Sequence, residues 1–234
     1  MAQRRRRSRG KKQQEETLFD IAAGAEQAQS FFEKNQRTIL GVLGALALIV
    51  GAWFAYQQFY KAPLQNEALD QIYKAEQAFT QDSMTKALTD PGGGYAGFKK
   101  IVDKYGSTNA GNAANLYTAI GYLHLGQYEV VIDYLNDFSA KGKVAPILKN
   151  GLMGDAYSEL NKLDKALGYY KTAGNYSDNE FLCPYYLLKA GMLSEHQKKY
   201  KEALKLYQKI KTTFPNSTQG QSIDKYIGRV EAKK

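Results

Sequence analysis

Cysteine is almost missing from this chain: Cys183 stands alone in 234 residues. No intramolecular disulfide can form, and Cys-rich metal sites are excluded. Proline is scarce as well, at five residues, so few backbone positions forbid a helix. With alanine, leucine and lysine dominant and tyrosine abundant, the composition suits an all-α chain. The marks of catalysis are also absent. Gly92-Gly93-Gly94 lacks the Lys-Ser/Thr that a phosphate loop needs, and there is no HExxH. No Ser/His/Asp or Cys/His arrangement can be assembled, and nothing activates Cys183, which precedes Pro184 in an expected loop. The expectation is a non-enzyme with no catalytic residues and no cofactor. Acidic charge is in deficit, giving a net +9, but unevenly: residues 1–37 carry nine Lys/Arg against five Asp/Glu, and the rest 23 against 18. The strongest basic run is only Arg4-Arg5-Arg6-Arg7-Ser8-Arg9-Gly10-Lys11-Lys12, so a general nucleic-acid reading fails.

What is present first is one long apolar stretch. No formal charge occurs from Thr38 to Tyr60, 23 residues. At ~1.5 Å per residue these span roughly 34 Å as a helix, enough for a bilayer core of about 30 Å. Trp53, Tyr56 and Tyr60 cluster at its C-terminal end, where an aromatic belt belongs. Basic residues crowd the N-terminal side, so the N-terminus is expected in the cytoplasm and the C-terminal domain on the far side of a plasma (inner) membrane, in the periplasm. A cleaved signal peptide fits poorly, because both the preceding segment and the apolar run are too long and no small-x-small site follows. Ala47, Gly51 and Ala55 form a small-residue stripe that would let another helix approach closely.

Residues 1–14 read as a basic disordered arm and 15–37 as a cytoplasmic amphipathic helix, on the spacing of Leu18, Ile21, Ala25, Ala28 and Phe32. Arg4, Arg5, Arg6, Arg7, Arg9, Lys11 and Lys12 are candidates for contact with anionic lipid or ribosomal RNA, although a topology signal alone accounts for them.

Residues 61–234 read as a far-side domain of helical repeats. Gly126-Gln127-Tyr128-Glu129-Val130-Val131-Ile132-Asp133-Tyr134-Leu135 matches Asn161-Lys162-Leu163-Asp164-Lys165-Ala166-Leu167-Gly168-Tyr169-Tyr170 and Lys198-Lys199-Tyr200-Lys201-Glu202-Ala203-Leu204-Lys205-Leu206-Tyr207. The anchors Tyr128, Leu163 and Tyr200 lie 35 and 37 residues apart, near the period of the tetratricopeptide (TPR) repeat. Repeats are expected at 112–146, 147–183 and 184–217. A degenerate unit at 64–106 carries Leu64, Ala68, Ile72, Ala75 and Phe79 on one face and is interrupted by Asp90-Pro91-Gly92-Gly93-Gly94. Its Phe98-x-x-Ile101-x-x-x-Tyr105 echoes Tyr207-x-x-Ile210-x-x-x-Phe214. A capping helix is expected over 219–234, apolar at Ile223, Ile227 and Val230. The consensus tryptophan of TPR repeats is missing, and Val131 stands where alanine is usual.

A stack of such repeats lines a concave groove with its first helices. The candidates for polypeptide or partner binding there are Tyr117, Ile120, His124, Asp155, Glu159, Tyr185, Lys189, Met192, Glu195 and His196. A metal site shared by His124 and His196 is not expected: two repeats apart, at about 10 Å per stacked helix, they cannot meet one ion with bonds of about 2 Å.

A basic arm, one span and a TPR-like domain together resemble the YfgM-like family of ancillary SecYEG translocon subunits. Phe32-Glu33-Lys34-Asn35-Gln36-Arg37 and Phe98-Lys99-Lys100-Ile101-Val102-Asp103-Lys104-Tyr105-Gly106-Ser107-Thr108-Asn109-Ala110-Gly111 are similar to its Bacteroidota members. The resemblance covers most of residues 15–234; the Arg-rich extreme N-terminus exceeds it. It implies a chaperone-like or adaptor role with the SecYEG translocon, the membrane-anchored periplasmic prolyl isomerase chaperone PpiD and nascent chains as partners. It brings no catalytic residues. The alternative is a TPR scaffold subunit of another envelope secretion or motility assembly.

Overall fold

The computed structural model describes residues 31 and 33–233. The basic run Arg4–Lys12, and residues 15–30 and Phe32 of the helix expected at 15–37, lie outside the described residues; residues 31 and 33–37 are helical. Among the described residues the chain is helical, with no strand. It divides into two compact units, one up to Lys61 and one from Ala62.

In the N-terminal unit, α1 covers residues 33–55 and a π-helical turn follows at Tyr56–Lys61. This stretch holds a window of mean hydropathy 2.2 with none of it buried. It is long and apolar enough to cross a membrane. Leu48 and Phe59 expose 76% and 81% of their surface. The expected span over 38–60 is therefore not uniformly α-helical. Its last turn widens into a π-turn, where Tyr56 and Tyr60 stack with ring centroids 5.3 Å apart.

The second unit contains α2 (Ala62–Thr80), α3 (Met84–Thr89), α4 (Phe98–Tyr105), α5 (Asn109–His124), α6 (Tyr128–Asp137), α7 (Ala145–Glu159), α8 (Leu163–Gly174), α9 (Leu182–His196), α10 (Tyr200–Thr213), α11 (Thr218–Gln221) and α12 (Asp224–Glu231). Successive helices pair as hairpins, α5 with α6, α7 with α8, and α9 with α10, and each pair packs on the next.

One turn chemistry builds these hairpins. After α2, α5, α7 and α9 the chain passes through a left-handed residue: Asp82 (φ 57), Gly126 (φ 71), Asn161 (φ 55) and Lys198 (φ 58). The next amide then reaches back five residues: Ser83 donates to Ala78, Gln127 to Tyr122, Lys162 to Tyr157 and Lys199 to Ser194. This is the Schellman closure, which satisfies carbonyls the helix end leaves free. The first hairpin is thus α2 with α3, and its second helix is broken by the Asp90–Gly97 segment before resuming as α4. Gly92, Gly93 and Gly94 all have positive φ, a conformation that side chains resist.

A second turn occurs twice. Thr108 Oγ accepts from the Gly111 amide at 3.0 Å and donates to the Tyr105 carbonyl at 2.7 Å; Ser217 Oγ does the same with Gly220 at 2.9 Å and Phe214 at 2.7 Å. A Cβ on Gly111 would lie 1.9 Å from the Tyr105 carbonyl oxygen, and one on Gly220 2.1 Å from that of Phe214. The echo between the α4 and α10 sequences therefore extends through the following helix start.

The core is a series of buried clusters along the stack. Ala68, Ile72 and Ala75 of α2 pack with Phe98, Ile101, Tyr105 and Ala114. Val131, Leu135, Met153 and Ala156 form the middle cluster. Tyr170, Leu187, Tyr207, Ile210, Phe214, Ile223 and Val230 belong to the last. The C-terminal cap differs from the single helix expected over 219–234. The close approach of Gly220 to Phe214 fixes the direction of α11, so the chain breaks at Ser222–Ile223 before α12 lies along α10, with Ile223 and Val230 buried.

Candidate functional site

The first helices α5, α7 and α9 adjoin one another, and the second helices α6, α8 and α10 back them. The sequence-based groove residues all lie on α5, α7 and α9, but they do not share one role.

On α5, Tyr117 is taken up by packing. Its ring stacks on Phe98 at 4.9 Å and meets Phe79 edge-on at 5.3 Å. Ile120 is half-buried, and His124 at the end of α5 is exposed. On α7, Glu159 is exposed while Asp155 is half-buried at the centre of a polar knot. The Asp155 carboxylate accepts from the Tyr170 hydroxyl of α8 at 2.6 Å and from the Lys189 ammonium of α9. Lys189 in turn lies 5.4 Å and 5.3 Å from the ring centroids of Tyr170 and Tyr185, within cation–π range. Burial disfavours the Lys189 charge, but Asp155 together with Tyr185 outweighs it and raises the ammonium above its usual value. Burial first, and Asp155 second, push the Tyr170 hydroxyl far up, so it stays a donor at any ordinary pH. Asp155 and Lys189 are therefore matched to each other. They brace α7 against α9 and leave no net charge there.

On α9, Tyr185 and Met192 are exposed at 40% and 48%. Phe181, missed by the sequence reading, is exposed at 84% one turn before Tyr185. Its i, i+4 spacing from Tyr185 was visible, but the Cys183–Pro184 pair argued for a loop there. The structure instead starts α9 at Leu182 and admits Pro184 in its first turn, where no amide is needed. Phe181, Tyr185 and Met192 thus form an apolar stripe beside the Asp155–Lys189 knot.

Glu195 has a partner of its own. Arg229 grips both carboxylate oxygens, at 2.9 and 2.7 Å, and Lys233 adds a bond at 3.1 Å. The Tyr207 hydroxyl donates to it at 3.3 Å. Arg229, with Lys233 behind it, holds the carboxyl below the usual glutamate range against the opposing effect of burial. His196 is exposed, and among the described residues no group of three or more His, Cys, Asp and Glu is placed to hold a metal. Ala47, Gly51 and Ala55 are exposed on α1.

The sequence pattern of the tetratricopeptide-repeat family matches residues 185–217, which span most of α9 and all of α10. No curated protein and no solved structure matches the chain. Residues 185–217 thus carry a TPR repeat within a stack of helical hairpins, an architecture that points to protein–protein interaction.

Proposed function

We propose that this protein is a non-enzymatic, membrane-anchored TPR adaptor that docks extended polypeptide or a partner's segment along α9. The observation that carries this reading is the stripe of Phe181, Tyr185 and Met192, left exposed beside an Asp155–Lys189 pair that is already satisfied. Aromatic and methionine side chains held on a rigid helix are what binding hot spots are made of. A neutralised floor favours apolar and backbone contacts over a charged tail.

The finer reading is that the span inserts with its N-terminus in the cytoplasm, placing the domain in the periplasm beside the SecYEG translocon and a membrane-anchored prolyl isomerase chaperone such as PpiD. The excess of Lys/Arg before Thr38 supports the orientation. The resemblance to the YfgM-like family supports the partners. Ala47, Gly51 and Ala55 would be the face that meets translocon helices.

The test is a mild-detergent pull-down of the tagged full chain at native expression, analysed by mass spectrometry. SecY and a periplasmic isomerase should be recovered together, lost when Thr38–Tyr60 is replaced by an unrelated span, and the isomerase weakened by Phe181→Ala with Tyr185→Ala. Recovery of another envelope complex without SecY would sink the translocon reading and favour a scaffold subunit.

A further inference from the structure

Basic charge is concentrated at the C-terminal end of the stack. Residues 198–234 hold ten Lys/Arg against three Asp/Glu, whereas residues 38–197 hold 13 against 15. The structure then occupies most of the acids nearby. Glu202 pairs with Lys171 at 2.6 Å, Asp224 with Lys211 at 2.7 Å, and Asp164 of α8 with Lys199 at 2.8 Å. Glu195 is shared by Arg229 and Lys233, which leaves Glu231 at the end of α12. Lys201, Lys205 and Lys209 follow one another at i, i+4 and i+8 on α10, all exposed, with Lys198 in the turn before them. Lys209 reaches the side-chain oxygen of Asn175. Among the described residues none of these four pairs with an acidic side chain.

We propose that this outward stripe of α10 is a docking surface for an anionic phospholipid membrane. The case rests on what surrounds the charge. No large apolar side chain is exposed between Lys198 and Lys233. A protein partner needs apolar or aromatic anchors at the centre of its interface, and single-stranded nucleic acid needs exposed rings for stacking. Lysines on flexible stems suit a fluid array of phosphates, each met as a point charge. The chain carries its own apolar span, so a weak electrostatic attachment at a bilayer gains from the high effective concentration that a tether creates. This surface is independent of the α9 stripe and requires no occupant there.

The experiment uses the full chain in phosphatidylcholine nanodiscs, with Arg4–Lys12 neutralised to glutamine so that this run contributes nothing. It is mixed with vesicles of phosphatidylcholine alone or with phosphatidylglycerol added, and flotation is measured. Binding is expected only to the anionic vesicles, to vanish in high salt, and to weaken at least about tenfold when Lys201, Lys205 and Lys209 become glutamine. The arginine versions of the same three positions should retain it, with all chains melting together. Equal binding by the glutamine variant, or equal binding to neutral vesicles, overturns the proposal. Binding to polyglutamate but not to anionic vesicles would also overturn it and assign the stripe to an acidic protein.

Discussion

Ala119, Gly154 and Gly191 each precede by sixteen positions the residue they must accommodate: Leu135, Tyr170 and Tyr207. Where the partner is tyrosine the small residue is glycine. A Cβ on Gly154 would sit 2.5 Å from the Tyr170 ring, and one on Gly191 2.2 Å from the Tyr207 ring. Where the partner is the smaller leucine, alanine fits, and both are fully buried. Gly191→Ala is therefore expected to cost about 1–3 kcal/mol through overpacking, read from the urea midpoint. Adding Tyr207→Leu should cost less than the two changes summed, because the pair is coupled; strict additivity would refute the contact. Glu195 makes a different prediction at this scale. Its carboxyl is held below the ordinary 4.5 by Arg229 and Lys233. Its stabilising contribution is thus complete above the unfolded value and lost as pH falls through the lower folded one. Glu195→Gln should lower stability at neutral pH by roughly 1–2 kcal/mol and flatten the acid limb of a melting-temperature profile. An unchanged acid limb would exclude the cage.

Short turns rather than helix propensity organise the elements. The left-handed position that closes α2, α5, α7 and α9 is filled by Asp82, Gly126, Asn161 and Lys198, so the backbone requirement is shared while the residue type is not. That explains why three hairpins were legible from the sequence and one was not. The motif after each turn repeats at 35 and 37 residues, but the Asp90–Gly97 insertion lengthens the first interval and hides α3 as a helical partner of α2. Thr108 caps α5 from a buried position. Thr108→Ala should cost about 1–2 kcal/mol, and Thr108→Ser much less. Equal losses in a chemical-denaturation series would mean that the methyl group, not the hydroxyl, matters.

At the scale of the molecule, the stack must end somewhere, and α11–α12 end it. Ile223 and Val230 cover Tyr207, Ile210 and Phe214, while Arg229 and Lys233 neutralise Glu195. Removing residues 218–234 strips both the apolar lid and the charge partners from α9 and α10. The truncated chain should melt several degrees lower, as expected when a solenoid loses its cap. An unshifted melt would show that α10 closes the stack unaided.

By itself the sequence determined the class of structure and its punctuation. An uncharged run of 23 residues is long and apolar enough to cross a membrane, and spaced small and aromatic residues at a near-constant period bury themselves as stacked hairpins. Both are local patterns, written in consecutive residues. The tertiary structure decided which side chains remain available. Tyr117, Asp155, Lys189 and Glu195 all fall on the first helices, as the periodicity required, yet Phe98, Tyr170 and Arg229 claim them from far along the chain. Phe181, Tyr185 and Met192 stay exposed, Tyr185 even with Lys189 and Tyr186 against its ring. Availability depends on partners brought together by the fold, and no periodicity within one helix encodes it.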